Sequence, residues 1–484
     1  MGNEIKEVFM QKLELSISDI EQWYQNNTPV LIDAPPGSGK TYSVSSVFDK
    51  FAQMYDLKIL AIAPRRTTVM NMSKEYKNCK CITEKTIQTL QKQRCLGEYL
   101  NQFQILVIDE VHSMVTDVFI KENHPFMELV LDEFQGLVIG MTGTNFYNLE
   151  TLFADAYGKN WVKIEVAKSF EFLYDNTIFF YKSDETARFL IRQALENKEK
   201  VFVGCDHIET LQNMGACCKD ECFSIISKGS KHRDVLGVID DAIMQEFIES
   251  GEYPVDKCIL LCTRANELGT SIFSDVRIIV ISADDLTSVV QFARRVRTNG
   301  GTKVKIYVRA YNHEELQQKY EDAVQHIRMC EMFERNRTEF LERYHRYIDD
   351  DGGILYTAYN KNTEQYEVRV NPLRRAYWEK RVEVFGVQEM RYWIHQVCSV
   401  FGDCSFQVIS KPELHMFMEN HEEQFLTKEE QQELKRISGA RTMNKINEVC
   451  SKEKIPRRVV SERDDIKVNG KRSQPRRWAI RREA

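Results

Sequence analysis

Residues 34–41 read Ala-Pro-Pro-Gly-Ser-Gly-Lys-Thr, directly after the apolar run PVLIDA and directly before TYSVSSVFDKF, which has helical texture. Glycines at such a junction let consecutive backbone N–H groups turn toward one ligand, and a helix N-terminus adds a favourable dipole. A strand–loop–helix of this composition is suited to cradling phosphates. Pro36, Gly37, Ser38 and Gly39 are expected to wrap them. Lys40 would reach the terminal pair, and the Thr41 hydroxyl would ligate Mg²⁺. The ligand so described is a nucleoside triphosphate. A second cluster, Asp109-Glu110-Val111-His112, leaves the apolar run QILVI about 70 residues later. Asp109 is placed to hold the same Mg²⁺, largely through water. Glu110 is placed to orient and deprotonate an attacking water. His112 is expected to couple this site to a later motif.

APPGSGKT followed by DEVH resembles motifs I and II of superfamily-two DExH-box helicases. That resemblance implies ATP as the nucleotide and can be followed along the chain. Ala63-Pro64-Arg65-Arg66 looks like motif Ia, which grips a nucleic-acid backbone, so Pro64 and Arg65 become candidate contacts. TEKTIQTL, with Thr86, resembles the region that follows it. Thr142-Gly143-Thr144 looks like motif III, with its usual Ser and Ala replaced. Thr263–Ser271 resembles motif V, assigning Thr263 to nucleic acid and Gly269 to the nucleotide. Gln291-Phe292-Ala293-Arg294-Arg295-Val296-Arg297 resembles a shortened motif VI, the arginine-finger helix, in a form similar to herpesvirus origin-binding helicases and some phage relatives. On that resemblance Gln291, Arg295 and Arg297 serve hydrolysis, with Arg294 the rival. The likeness covers roughly residues 25–310.

The elements that must position these groups are legible in the apolar runs. PVLIDA, KILAIAP, QILVIDE and GLVIGMT, then TIFFYK, KVFVGC, KCILLCT, VRIIVIS and VKIYVR, lack in/out alternation. Strands of that kind are buried on both faces, which means parallel sheets covered by helices, the α/β class. The series breaks near 160–175, so two α/β domains are expected, at 1–165 and 166–311, RecA-like by the resemblance. Residues 312–410 read as a helical accessory region with a hairpin around Asn360–Thr363. Residues 411–484 read helix, helix, strand, Asn-Gly turn, strand, an order that suits a winged helix.

Composition limits the alternatives. With 43% hydrophobic residues in a 484-residue chain, cores are ample and disorder is excluded. No apolar run reaches the roughly 20 residues that span a bilayer. The first residues lack a secretory pattern, and Lys6 spoils a myristoylation site at Gly2, so a soluble intracellular, cytoplasmic protein is expected. The odd count of 13 cysteines fits reduced thiols. Only Cys217, Cys218 and Cys222, with Cys205 and His207, could suit zinc, and buried thiols are the expected reading there. Net charge is −6, yet residues 452–484 hold twelve Lys and Arg against five acids. Arg457, Arg458, Lys471, Arg472, Arg476 and Arg477 would form the wing's phosphate-facing patch, on a basic module suited to an anionic partner. The reading is an ATP- and Mg²⁺-dependent helicase or translocase, with DNA favoured over RNA and replication proteins as partners. Replication or repair of a phage or mobile element is the setting by analogy. A remodelling ATPase and a DNA-binding initiator with an inert motor are the alternatives.

Overall fold

The computed structural model describes all residues except 1–5, 11–12, 36–37, 65, 76–78, 94, 117–125, 129, 131–133, 168–171, 217, 219, 226–240, 265–270, 298–302, 345–352, 361–362, 364, 403, 454, 456, 464–465, 469–470, 474–475 and 483–484. Seven strands make the first sheet: β1 (Lys6–Met10), β2 (Val30–Asp33), β3 (Ile59–Ala63), β4 (Cys79–Thr83), β5 (Ile105–Ile108), β6 (Leu137–Thr142) and β7 (Val162–Val166). Their order is β1-β7-β2-β6-β5-β3-β4, and every pairing is parallel. β2, β3, β5 and β6 are buried at every position, which is why they read as unbroken apolar runs. β7 (VKIEV) alternates instead, and β4 (CKCIT) is fully buried only at Ile82, so both escape that reading.

The second sheet takes β8 (Leu173–Tyr181), β9 (Lys200–Cys205), β10 (Cys222–Ile225), β11 (Ile259–Thr263), β12 (Val276–Ser282) and β13 (Val304–Arg309). β14 (Leu355–Asn360) and β15 (Gln365–Val370) then form the antiparallel hairpin, and β16 (Ser405–Ile409) returns to the second sheet beside β8. The order β10-β11-β9-β12-β13-β8-β16 is again wholly parallel. The architecture is therefore two parallel-sheet α/β domains of the RecA-like kind, with helical regions and small antiparallel hairpins.

Four helices follow the second domain's strands: His313–Arg335, Arg337–Tyr344, Pro372–Phe385 and Met390–Val400. They join the two cores. Ala323, Phe333 and Tyr377 are buried with the first sheet's side chains, and Val384, Phe385 and Trp393 with the second's. The last 70 or so residues have their own core, from Leu414 to Ile480. There three helices, Pro412–Asn420, Lys428–Ser438 and Met443–Lys452, precede β17 (Arg457–Arg463). A short ladder of β18 (Ile466–Val468) and β19 (Lys471–Ser473) intervenes before β20 (Arg476–Arg482) pairs back with β17. Gly439 at φ +68° ends the second helix, as a left-handed cap should.

In the first sheet β6 lies between β2 and β5. The loops after these three strands, carrying residues 34–41, 109–112 and 142–144, therefore meet at one end. That end, outside the carboxyl termini of parallel strands, is where α/β sheets form their binding crevice.

Candidate nucleotide site and interdomain cleft

Gly39 takes φ +96°, a conformation other residues rarely adopt, and the chain then enters a helix at Lys40. Pro36 and Gly37 lie outside the described residues. Thr41 is the second residue of that helix, which passes through a π segment at Val44–Phe48 before continuing. Lys40 Nζ donates to Ala34 O at 2.5 Å. Burial lowers the Lys40 pKa, while Glu110, Asp109 and Asp33 pull it back upward. An ammonium held dry among three carboxylates, at the mouth of a glycine turn, is poised to exchange its carbonyl partner for phosphate oxygen.

Asp109 and Glu110 share one titration. Burial and the Glu110 charge push Asp109 up to about 7, with Lys40 opposing. Burial acts on Glu110 in the same direction, but Lys40, His112 and Arg295 together hold it below its usual value. The surroundings thus favour the protonated form at Asp109 and the ionised form at Glu110. Glu110 also adopts φ +49°, in the left-handed region.

His112 is buried, and burial keeps its pKa below the usual value. Its Nδ1 lies 3.4 Å from Glu110 Oε2 and 3.0 Å from Thr142 Oγ1. The Thr142 hydroxyl spends its proton on Thr144 O at 2.7 Å and accepts from Thr144 N at 3.0 Å. It must therefore accept from His112, which assigns the Nδ1–H tautomer. From Thr144 the chain of contacts crosses the cleft: Gln291 Nε2 donates to Thr144 Oγ1 at 3.4 Å, and Arg295 Nη2 donates to Gln291 Oε1 at 3.3 Å. Residues 110, 112, 142, 144, 291 and 295 thus form one polar line between the two domains.

The arginines do not sit on a helix, as the shortened motif suggested. The helix Leu286–Ala293 stops before them, with Arg294 as its C-cap. Arg297 N then bonds Ile272 O at 2.8 Å, beside a parallel bridge between Ile272 and Val296 that holds the chain extended. Backbone pairing with the segment after residue 270 outcompetes continued helix. All three arginines act on the carboxylate side of the cleft. Arg295 lowers the pKa of both Asp109 and Glu110, and Arg294 and Arg297, brought to about 10 mainly by burial, each interact with Glu110. Arg294 also interacts with Asp33 and repels Lys40. Arg297 Nε also donates to Ser271 Oγ at 3.3 Å.

Ser38 Oγ is buried without a hydrogen-bond partner, and buried Glu110 Oε2 has the His112 ring at 3.4 Å beside it but accepts no hydrogen bond. A donor and an acceptor left open in a cleft lined by Lys40 and three guanidiniums fit a magnesium-bound triphosphate with a water beside it. The residues that would hold it are Ser38, Gly39 and Lys40 on phosphate, with Asp109 on the metal; the Thr41 side chain lies outside the described residues.

The other sequence candidates are spread along the strand ends. Pro64 is buried just past β3, Thr86 is exposed on the Glu84–Lys92 helix, and Thr263 is half-buried at the end of β11. Arg65 and Gly269 lie outside the described residues. In the C-terminal region Arg457 pairs with Glu422, whereas Arg458 and Arg476 are exposed and Arg477 is half-buried. Lys471 and Arg472 are on β19. Asp33, Arg264 and Asp285 were not anticipated. Arg264 Nη2 reaches Asp285 Oδ2 at 2.8 Å and Thr116 O at 3.2 Å. Such contacts join residues far apart in the chain and leave no local spacing to read.

Fold and site together give two parallel-sheet α/β domains with a glycine turn, a lysine and an acidic pair gathered at one end of the first sheet. A family model described as an AAA domain matches residues 19–140. No curated protein matches the chain. Among solved structures it is similar to the DUF1998 helicase MrfA bound to DNA and AMPPNP, at 15% identity and a TM-score of 0.44, over 60% of this chain and 47% of that one. It is similar to the Mycobacterium smegmatis helicase Lhr bound to ssDNA and AMP-PNP, at 11% identity and 0.45, over 74% and 59%. The DEAD-box helicase Mss116 bound to ssRNA and UDP-BeF gives 10% and 0.46, over 84% and 100%. This chain thus spans about half the length of the first of these.

Proposed function

We propose that the chain is an ATP-driven motor on nucleic acid, a helicase or translocase that acts on DNA. The observation that carries the reading is the meeting of Lys40, Asp109 and Glu110 from one domain with Arg294, Arg295 and Arg297 from the other. Bound magnesium–ATP supplies the transferable γ-phosphoryl group and the metal's charge. Lys40 would neutralise the terminal phosphates, and Asp109 would hold the metal. Glu110, already ionised, accepts a proton from the attacking water. The arginines stabilise the charge that develops at the γ-phosphate, a contribution of about 10³–10⁵ in rate for arginine fingers. They come from the opposite domain, so hydrolysis requires a closed cleft, and each cycle moves one domain against the other. Pro64, Arg65, Thr86 and Thr263 are the strand contacts on this reading. The C-terminal region acts as a winged helix whose hairpin, with Arg458 and Arg476 exposed, touches phosphates.

The test compares ATP turnover with single-stranded DNA, duplex DNA and RNA, together with displacement of a labelled strand. Stimulation by DNA with displacement supports the helicase. Stimulation without displacement gives a remodelling translocase. No turnover with intact DNA binding would make the chain an initiator with an inert motor.

A further inference from the structure

The Pro372–Phe385 helix lies against both domains. Leu373, Tyr377 and Trp378 near its start are buried in the first core, Val384 and Phe385 at its end in the second. Arg374, Tyr377 and Arg381 share one face at helical spacing. Arg374 is buried, stacks its guanidinium 4.2 Å over the Tyr377 ring, and donates Nη1 to Val115 O at 3.0 Å. Arg264, leaving β11 of the other domain, donates to the next carbonyl, Thr116 O. Val115 and Thr116 belong to the helical segment Ser113–Thr116, whose first amide bonds Glu110 O at 2.8 Å. A guanidinium on a backbone carbonyl makes a charge-assisted hydrogen bond, about twice as strong as a neutral one. Adjacent carboxylates tie the two arginines' elements together. Asp285, bonded to Arg264, caps the helix bearing Gln291. Asp284 takes two bonds from Arg381, each 3.0 Å, and one from Lys319 at 2.5 Å.

We propose that Arg374 and Arg264 are positioning residues for hydrolysis, seating the Val115 and Thr116 carbonyls when the domains close and thereby aligning Glu110. Arg264 arrives from the opposite domain, so opening the cleft breaks its bond. Arg374 rides on the helix that joins the two cores, so domain movement reaches the same turn by a second route. The inference rests on the ATPase reading above.

The test is steady-state hydrolysis by the full chain, with saturating single-stranded DNA and titrated ATP. The variants are Arg374→Met, which keeps the packing on Tyr377, Arg374→Lys, Arg264→Gln, and the Arg264→Gln/Arg374→Met double. Removing a charged hydrogen bond from a positioned turn should lower kcat about tenfold in each methionine or glutamine variant. KM for ATP should stay within about twofold, because the phosphate contacts are untouched. Arg374→Lys should recover part of the loss. The double variant should lose less than the product of the singles, since both act through one helix. Turnover is counted per site titrated with a fluorescent ATP analogue. A merely structural role would reduce the number of sites and the Tm while leaving kcat per site at the parental value, and that result overturns the proposal. A strictly multiplicative double variant also overturns it. A parent chain that turns over no ATP overturns both this proposal and the ATPase reading, whereas parental kcat in both singles overturns only this one.

Discussion

At the scale of single residues, the division of labour between Asp109 and Glu110 follows from their surroundings. Both are acids on one turn, yet burial and the Glu110 charge raise Asp109, while Lys40, His112 and Arg295 overcome burial and hold Glu110 below its usual value. Glu110→Gln keeps the side chain's size and removes the base. It should bind ATP normally and hydrolyse it at least about a hundredfold more slowly, as measured by phosphate release beside nucleotide binding. Among the arginines, Arg295→Ala and Arg297→Ala should lower kcat more than ATP affinity, since fingers act mainly in the closed transition state. A larger kcat effect in Arg294→Ala would move the finger to the residue that faces Lys40. The phosphate loop and the acidic pair were legible because their spacing is local and each follows an apolar strand. The choice among the three arginines was not, because spacing along a motif presumes a helix that ends at Ala293.

At the scale of elements, the second domain is joined to the Pro372–Phe385 helix through Asp284. The positive charges of Arg381 and Lys319 overcome burial and hold its carboxyl well below the usual range. A depressed carboxylate contributes stability that is fully present above its unfolded value, about 3.9, and is lost as pH falls through the folded value. Asp284→Asn leaves two largely buried cations short of their partner. It should cost about 3 kcal/mol at pH 7 in denaturant unfolding. The gap from the parent should close progressively below about pH 4. A gap that stays constant into acid would show that the ion cluster contributes nothing as a charge network. None of this was visible in the sequence: Asp284 and Arg381 are 97 residues apart. The strands buried on both faces were readable as apolar runs, whereas β4, mostly half-buried, and alternating β7 blend into polar surroundings.

At the scale of the whole molecule, the two α/β domains and the basic C-terminal region have separate cores. The core of the C-terminal region runs from Leu414 to Ile480, so a cut at residue 440 would divide it. A chain ending at residue 411 keeps β16 in the second sheet and removes the basic region whole. Basal ATP turnover should survive that truncation, while DNA affinity falls. The dependence of affinity on salt should flatten by about 0.9 in log–log slope for each phosphate that the shortened chain no longer neutralises. Equal slopes in binding titrations would mean that the hairpin arginines touch no phosphate. Whether the cleft is a nucleic-acid-dependent ATP-hydrolysing site is decided by ATP turnover with and without single-stranded DNA in the parent and in Lys40→Ala. The side chain of Lys40 contributes charge to the phosphate site rather than packing to a core, so the variant should fold as the parent does. DNA-stimulated turnover is expected in the parent and none above background in the variant. Equal turnover in the two would contradict the assignment of the site.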